Sequence, residues 1–160
     1  MIPTGRRLQF ARGYIGLGML DEAARELDAI LAVDRPKPEV TSVWVDLHME
    51  AKRWVQLERV GRTFARSQPQ EDKGWISWAY ALRELNRIEE AKAVLLEAEP
   101  LHGRTCGVLH YNLACYACLL GDRTEAKRRL AMACKMNREW KTAALDDPDL
   151  AAMRDDLTSK

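Results

Sequence analysis

The sequence predicts an all-α fold, an α-solenoid of four helix-turn-helix units followed by a C-terminal capping segment. Three observations predict it: a repeat of 34 or 35 residues, apolar residues at helical spacing inside each repeat, and turn-forming residues at matched positions between the helices. The chain has 160 residues, enough to bury a core without support from disulfides or a metal. We therefore expect one domain over residues 1–160.

A column of mostly small residues marks the repeat, since Ala23, Leu57, Ala91 and Ala126 are separated by 34, 34 and 35 residues. Each stands thirteen residues after the start of a similar pair in the preceding helix, namely Phe10-Ala11, Trp44-Val45, Trp78-Ala79 and Leu113-Ala114. The period predicts units over residues 4–37, 38–71, 72–106 and 107–140, each with room for two helices of roughly a dozen residues.

The predicted turn inside each unit carries Gly18, Lys52, Asn86 or Gly121. Glycine and asparagine tolerate the left-handed conformation that ends many helices, so three of these four residues suit a turn. Acidic residues follow at the start of three second helices and complement the positive helix N-terminus, namely Asp21-Glu22, Glu89-Glu90 and Asp122 with Glu125. Local chemistry therefore agrees with the period.

Residues 141–156 do not continue the period and are predicted to cap the last unit. Asp147-Pro148 has the form of an N-cap followed by proline at the first helical position, so a short helix should run from there through Met153. A terminal cap is expected because the last unit of a repeat stack otherwise leaves its apolar face in water.

The units resemble tetratricopeptide repeats, whose pattern is Trp-x2-Leu-Gly-x2-Tyr followed by Ala-x3-Phe and Pro. The residues that carry the resemblance are Trp75, Trp78, Ala79, Leu82, Ala91 and Leu95 in the third unit and Phe10, Ala11, Tyr14, Ala23 and Leu27 in the first. The resemblance covers about residues 4–140 and implies a right-handed superhelix. The sequence departs from the pattern in the second repeat, where Leu57 and Gly61 exchange the usual small and large residues. The closing proline occurs only in that repeat, as Pro69.

The C-x-x-C pair Cys115 and Cys118 raises the alternative of a metal or redox site. The two cysteines lie three apart in a predicted helix with no preceding strand, which is not the context of a thioredoxin-type pair. A zinc site would need two more ligands on the same side, and His110 points well away. The pattern favours reduced structural thiols and no cofactor.

Other classes of function are disfavoured by composition. A formal charge of +1 argues against nucleic acid and anionic membrane, and the arginines of the basic runs 52–66 and 126–135 are expected to be a solvated face. No segment has the features of a signal peptide or a bilayer span, so a cytoplasmic location is expected. The three histidines stand in no recognisable catalytic spacing, so we do not expect an enzyme.

The resemblance implies a concave groove lined by the first helix of each unit, and therefore a non-catalytic adaptor that binds a peptide or segment of a partner protein. The residues carried over to that groove are Arg12, Asp46, Met49, Lys73, Ile76, Tyr80, Arg83, Tyr111, Asn112, Cys115 and Leu119. Of these, Tyr80, Arg83, Tyr111 and Asn112 are predicted to bind apolar and acidic groups. Three alternatives remain: the capping segment folds over part of this surface, the chain self-associates as a homodimeric scaffold, or it is a small chaperone for a secreted or assembled substrate.

Overall fold

The computed structural model describes residues 1–158, and the regular secondary structure within that range is helical. The helices are α1 Thr4–Gly16, α2 Leu20–Asp28, α3 Pro38–Glu50, α4 Trp54–Ser67, α5 Asp72–Glu84, α6 Ile88–His102, α7 Gly107–Leu119, α8 Arg123–Met136, α9 Glu139–Asp146, a 3₁₀ helix Pro148–Met153 and α10 Arg154–Thr158. None of the helices in the described part of the chain has the length and apolar character needed to cross a bilayer. The prediction of an all-α fold is confirmed.

The turns between paired helices repeat one backbone conformation. Gly18, Lys52, Asn86 and Gly121 have φ angles of 72°, 52°, 60° and 83°, all in the left-handed region. Lys52 adopts this conformation although its Cβ makes it unfavourable. Across these turns α1 packs on α2, α3 on α4 and α7 on α8. Asp122 caps α8 by accepting a hydrogen bond from the backbone N–H of Glu125 at 3.0 Å.

The chain forms two compact units, one of residues 1–81 and one that begins at Leu82. Unit 1 contains α1 to α4 and the part of α5 up to Ala81, whereas unit 2 contains α6 to α10. The expectation of a single domain over residues 1–160 stays a prediction.

Unit 1 has two buried clusters. The first joins α1, α2 and α3 and consists of Leu8, Ala11, Ala23, Leu27, Ile30, Val40, Val43 and Leu47. The second includes Val45 from α3, Leu57 and Phe64 from α4, and Ala81 from α5. Helix α3 contributes to both clusters because it is apolar on two sides, with Val43 in the first cluster and Val45 in the second.

Two glycines let α4 and α5 approach closely. A Cβ on Gly61 would lie 2.8 Å from the backbone nitrogen of Trp78, and one on Gly74 would lie 2.6 Å from the backbone nitrogen of Ala65. The departure of the second repeat, residues 38–71, from the repeat pattern therefore has a packing reason. Leu57 is fully buried in the second cluster, and the glycine one turn later makes room for the α5 backbone.

Unit 2 is organised around α7, which is buried on nearly its whole circumference. It packs against α6, α8 and the 3₁₀ helix. Both cysteines of the C-x-x-C pair are buried for this reason. Nearby, the buried guanidinium of Arg129 on α8 donates to Glu99 on α6, to Glu125 at 2.6 Å and to Nδ1 of His110 at 3.1 Å. This network joins three helices of the unit.

The capping segment follows the prediction at its centre and differs from it around that point. Asp147 caps the helix that Pro148 begins, by accepting the N–H of Asp149 at 2.9 Å, and this helix ends at Met153 as predicted. It is a 3₁₀ helix, and α9, which was not predicted as a separate element, precedes it. Ala144, Leu150 and Met153 are fully buried, so the segment completes the unit's core.

Replacing Lys52 by glycine should stabilise the protein by about 1 kcal/mol, because glycine removes the unfavourable Cβ from a left-handed turn. Urea unfolding followed by circular dichroism measures the change. Lys52→Ala is the matched control, since it shortens the side chain but keeps the Cβ. Equal stability of the two variants would contradict the role assigned to the turn.

Replacing Gly61 by alanine should destabilise the protein by about 1–3 kcal/mol or more, because the new methyl group would overlap the α5 backbone at Trp78. Gly13→Ala in α1 is the control, since outside the neighbouring residues and backbone of its own helix nothing lies within 4 Å of its Cβ position. That variant should gain about 0.5–1 kcal/mol from helix propensity. Unfolding midpoints that move in the same direction for both variants would exclude the close approach.

Candidate functional site

The predicted groove residues fall on two surfaces, one in each compact unit. Those of unit 1 lie on α1, α3 and α5, and we call this surface, with Ser42 added, the unit-1 face: Arg12, Ser42, Asp46, Met49, Lys73, Ile76 and Tyr80. Those of unit 2 are Arg83, Tyr111, Asn112, Cys115 and Leu119. Each surface has its own chemistry.

The polar part of the unit-1 face is a bridge between α3 and α5. The Lys73 ammonium lies 2.6 Å from Oδ1 of Asp46 and donates to the hydroxyl of Ser42 at 2.8 Å. Ser42 and Asp46 are four residues apart and therefore share one side of α3. The bridge shows that this side of α3 and the Lys73 side of α5 border one surface.

The apolar part of the unit-1 face lies beside this bridge. Tyr80 is half-buried and meets the ring of Trp54 edge to face, with centroids 5.9 Å apart. Met49 packs against the second buried cluster, and Ile76 is also half-buried. Arg12 is exposed on α1, which packs against α3. The face thus offers three apolar side chains next to charged groups of both signs.

In unit 2, Asp147 of the capping segment binds two of the predicted groove residues. One carboxylate oxygen of Asp147 accepts the Tyr111 hydroxyl at 2.7 Å and lies 3.8 Å from the Cys115 sulfur. The ring of Trp140 in α9 stacks on Tyr111, with centroids 4.5 Å apart and an interplanar angle of 27°. Tyr111 and Cys115 keep only 6% and 4% of their surface exposed.

Asp149 binds a third predicted residue. The Arg83 guanidinium forks onto its carboxylate, with Nε donating to Oδ2 at 2.8 Å and Nη2 donating to Oδ1. A bidentate arginine pair of this kind is among the stronger hydrogen-bonded contacts in proteins. The alternative that the capping segment covers part of the surface therefore describes unit 2, and a ligand could reach Tyr111 and Cys115 only after that segment moved.

Electrostatics keep the covered groups in their neutral forms. Burial raises the pKa of the Tyr111 hydroxyl, and the carboxylate of Asp147 adds to this effect. Burial likewise raises the pKa of the Cys115 thiol, with further contributions from Asp147 and Asp149. A protonated thiol is neither a nucleophile nor a good metal ligand.

Cys115, Asp147 and Asp149 do place three possible metal-ligand atoms within 4.8 Å of one another. The contacts already made there oppose a cation, because Arg83 binds both oxygens of Asp149 and the Tyr111 hydroxyl donates to Asp147. A metal ion would have to compete with a guanidinium for the same carboxylate. The arrangement is better described as a hydrogen-bonded closure of the unit.

Two predicted residues of unit 2 remain accessible. Asn112 is half-buried, and Leu119 at the end of α7 keeps 43% of its surface exposed beside a shallow hollow that Arg83 also lines. The predicted groove residues therefore fall into three groups. Those of unit 1 form an accessible face, Arg83, Tyr111 and Cys115 of unit 2 are bound by the capping segment or the acids in it, and Asn112 and Leu119 of unit 2 stay accessible. The sequence held a signal for the covering, since the carboxylates of Asp147 and Asp149 flank the capping proline.

Comparison with solved structures identifies the class of fold. The chain is similar to MamA, with a TM-score of 0.78 and 14% identity over 96% of this chain and 85% of that one. It is similar to TTC0263, a thermophilic TPR protein of Thermus thermophilus, with a TM-score of 0.75 and 20% identity over 98% and 84%. PilF of Pseudomonas aeruginosa has a TM-score of 0.76 and 20% identity over 94% and 67%. No protein-family model and no curated protein matches the sequence.

These likenesses confirm the predicted resemblance at the level of fold. The chain has a tetratricopeptide-type α-solenoid fold, and the similarity extends through nearly all of its length. At identities of 14 to 20% the fold is what the similarity shows. Function depends on the side chains that the fold presents at its surfaces.

Cys115 should react slowly with iodoacetamide in the folded protein, because its thiol is buried and its pKa is raised. Half-buried Cys134 should be alkylated first, as measured by peptide mass spectrometry. Asp147→Ala should speed the reaction of Cys115 roughly tenfold, because it removes a helix cap worth about 1 kcal/mol together with the contact to Tyr111.

Asp146→Ala is the matched control, since Asp146 is an exposed neighbouring acid. It should leave the alkylation rate of Cys115 unchanged. A wild-type protein whose Cys115 reacts as fast as Cys134 would contradict the covering of unit 2 by the capping segment.

Proposed function

We propose that this protein is a non-catalytic protein-interaction module that binds a segment of a partner protein through the unit-1 face. The partner is a peptide or protein segment, as expected from the sequence, and it contacts α1, α3 and α5. The observation that supports it is the bridge from Lys73 to Asp46 and Ser42. Through this bridge the predicted groove residues of α3 and α5 lie on one accessible surface.

The bridge is suited to exchange with a ligand. The Lys73 and Asp46 side chains keep 35% and 42% of their surface exposed, and an exposed ion pair is worth only about 0–1 kcal/mol. A partner carboxylate could therefore take the Lys73 ammonium with little loss of stability. In unit 2 the corresponding cation, Arg83, is held by both oxygens of Asp149, which supports binding at the face of unit 1.

The apolar residues define the rest of the partner segment. Met49 adapts its shape readily, and Tyr80 offers a large surface with few rotatable bonds, so both suit an interface. Exposed Arg12 supplies a further cation on α1. We infer a segment in which apolar side chains stand next to an acidic residue.

Selection from a displayed peptide library on the purified protein tests this proposal. The wild type should yield a consensus with apolar and acidic positions, and Met49→Ala/Tyr80→Ala should weaken the selected peptide at least tenfold, because both substitutions remove buried contact area. Fluorescence anisotropy of the labelled peptide measures the affinity.

Asn112→Ala/Leu119→Ala is the matched control, since it truncates two accessible predicted groove residues of unit 2. It should leave the affinity unchanged, and circular dichroism should show both double variants folded. A selected peptide that loses affinity only with the unit 2 control would overturn the site. If a folded wild type yields no consensus and light scattering shows a dimer, self-association would replace peptide binding as the function.

A further inference from the structure

Helix α2 is shorter than the second helix of every other pair. It has 9 residues, whereas α4, α6 and α8 have 14, 15 and 14. The helix ends at Asp28, and residues 32–36 form turns that contain Pro36 and lead to Pro38, where α3 begins. Proline at these positions cannot donate to a preceding carbonyl, so the helix cannot continue through them.

Arg35 holds the end of α2 in place. Its Nε donates to the carbonyl of Ile30 at 3.0 Å, and its Nη2 donates to the carbonyl of Asp28 at 2.8 Å. These bonds satisfy carbonyl groups that a longer helix would have paired internally. The shortened helix is therefore a defined structure, and the guanidinium that ends it has a fixed position.

A cleft of about 590 Å³ lies within unit 1 beside the segment that follows this shortened helix. It is lined by Arg35, Pro36, Thr41, Trp44, His48, Gln56, Arg59, Val60, Thr63 and Ser67. These residues come from the segment after α2 and from one side each of α3 and α4. The size falls in the range of about 300–1,000 Å³ that is usual for small-ligand sites. None of the predicted groove residues lines it.

The wall of the cleft on α3 is aromatic. Trp44 and His48 are four residues apart, and their rings stack with centroids 5.3 Å apart and an interplanar angle of 24°. Nδ1 of His48 is buried and has no hydrogen-bond partner among residues 1–158. A buried polar atom in this state is unfavourable, so a ligand group that reached it would gain a hydrogen bond.

The wall on α4 supplies positive charge. Among the described residues, Arg59 has no carboxylate at ion-pair distance, and no acidic side chain lines the cleft. Arg35 adds a second guanidinium, and Thr41 and Thr63 add hydroxyl groups. The lining therefore joins a flat apolar surface at Trp44 and Val60 to cationic groups without counterions.

We propose that this cleft is a binding site for an organic carboxylate with a flat apolar body. The body packs against Trp44 and Val60, and the carboxylate accepts hydrogen bonds from Arg59. The proposal is independent of partner binding at the unit-1 face, because the two surfaces share no residue. The same chemistry is presented by a free aromatic acid and by a protein chain that ends in an aromatic residue.

Calorimetric titration with 2-naphthoate and its neutral counterpart 2-naphthamide tests the site. We expect naphthoate to bind at least tenfold more tightly than the amide and to shift the ring signals of His48 in NMR spectra. Arg59→Gln should weaken naphthoate about tenfold, the loss expected for one charge-assisted hydrogen bond. Thr63→Trp should abolish binding by filling the cleft from an exposed position.

Arg62→Gln and Arg62→Trp are the matched controls, because Arg62 is exposed on the same helix and does not line the cleft. Both should bind naphthoate as the wild type does. An acetylated Gly-Gly-Phe peptide acid that binds more tightly than naphthoate would assign the site to a chain end, and the reverse order would assign it to a free acid. Absent binding, equal binding of acid and amide, or binding unaffected by both Arg59→Gln and Thr63→Trp would overturn the proposal.

Discussion

The arrangement of unit 1 depends on the close approach of α4 to the backbone of α5. Gly61 and Gly74 each leave space that a methyl group would take from the opposite helix, so the two backbones come closer than ordinary side chains permit. This contact fixes the position of α5 within the unit. Lys73 at the start of α5 can then reach Ser42 and Asp46 on α3. These contacts bring α3 and α5 together in the unit-1 face.

Equivalent stripes of the repeat have different environments in the two units. In unit 1 Lys73 pairs with Asp46 at the surface, whereas in unit 2 Arg83 and Tyr111 bind acids of the capping segment. The segment is held by more than those acids, since its own side chains Leu150 and Met153 are fully buried. Removing it would expose apolar surface, so it behaves as part of the core. A repeat pattern therefore identifies which residues can line a groove, but it does not identify which remain open.

Departures from the repeat mark the specialised parts of this protein. The exchange of Leu57 and Gly61 produces the close helix contact, and the segment that follows the short α2 lines a cleft together with Trp44 and His48. Both departures break a local rule and gain a specific geometry in return, as is expected where a sequence serves more than its fold. His48, which lines that cleft, has a buried Nδ1 without a hydrogen-bond partner among residues 1–158.

The sequence alone determined the repeating helices, their turns and the start of the capping helix, because these follow from local chemistry. The left-handed residues recur at one position of each repeat, and Asp147-Pro148 combines a capping side chain with a proline suited to the first position of a helix. Only the tertiary structure decided that Asp147 and Asp149 cover Tyr111 and Arg83, and that Lys73 meets Asp46. Such contacts join residues distant in the chain, and a period that places side chains on a helix face carries no information on what lies opposite.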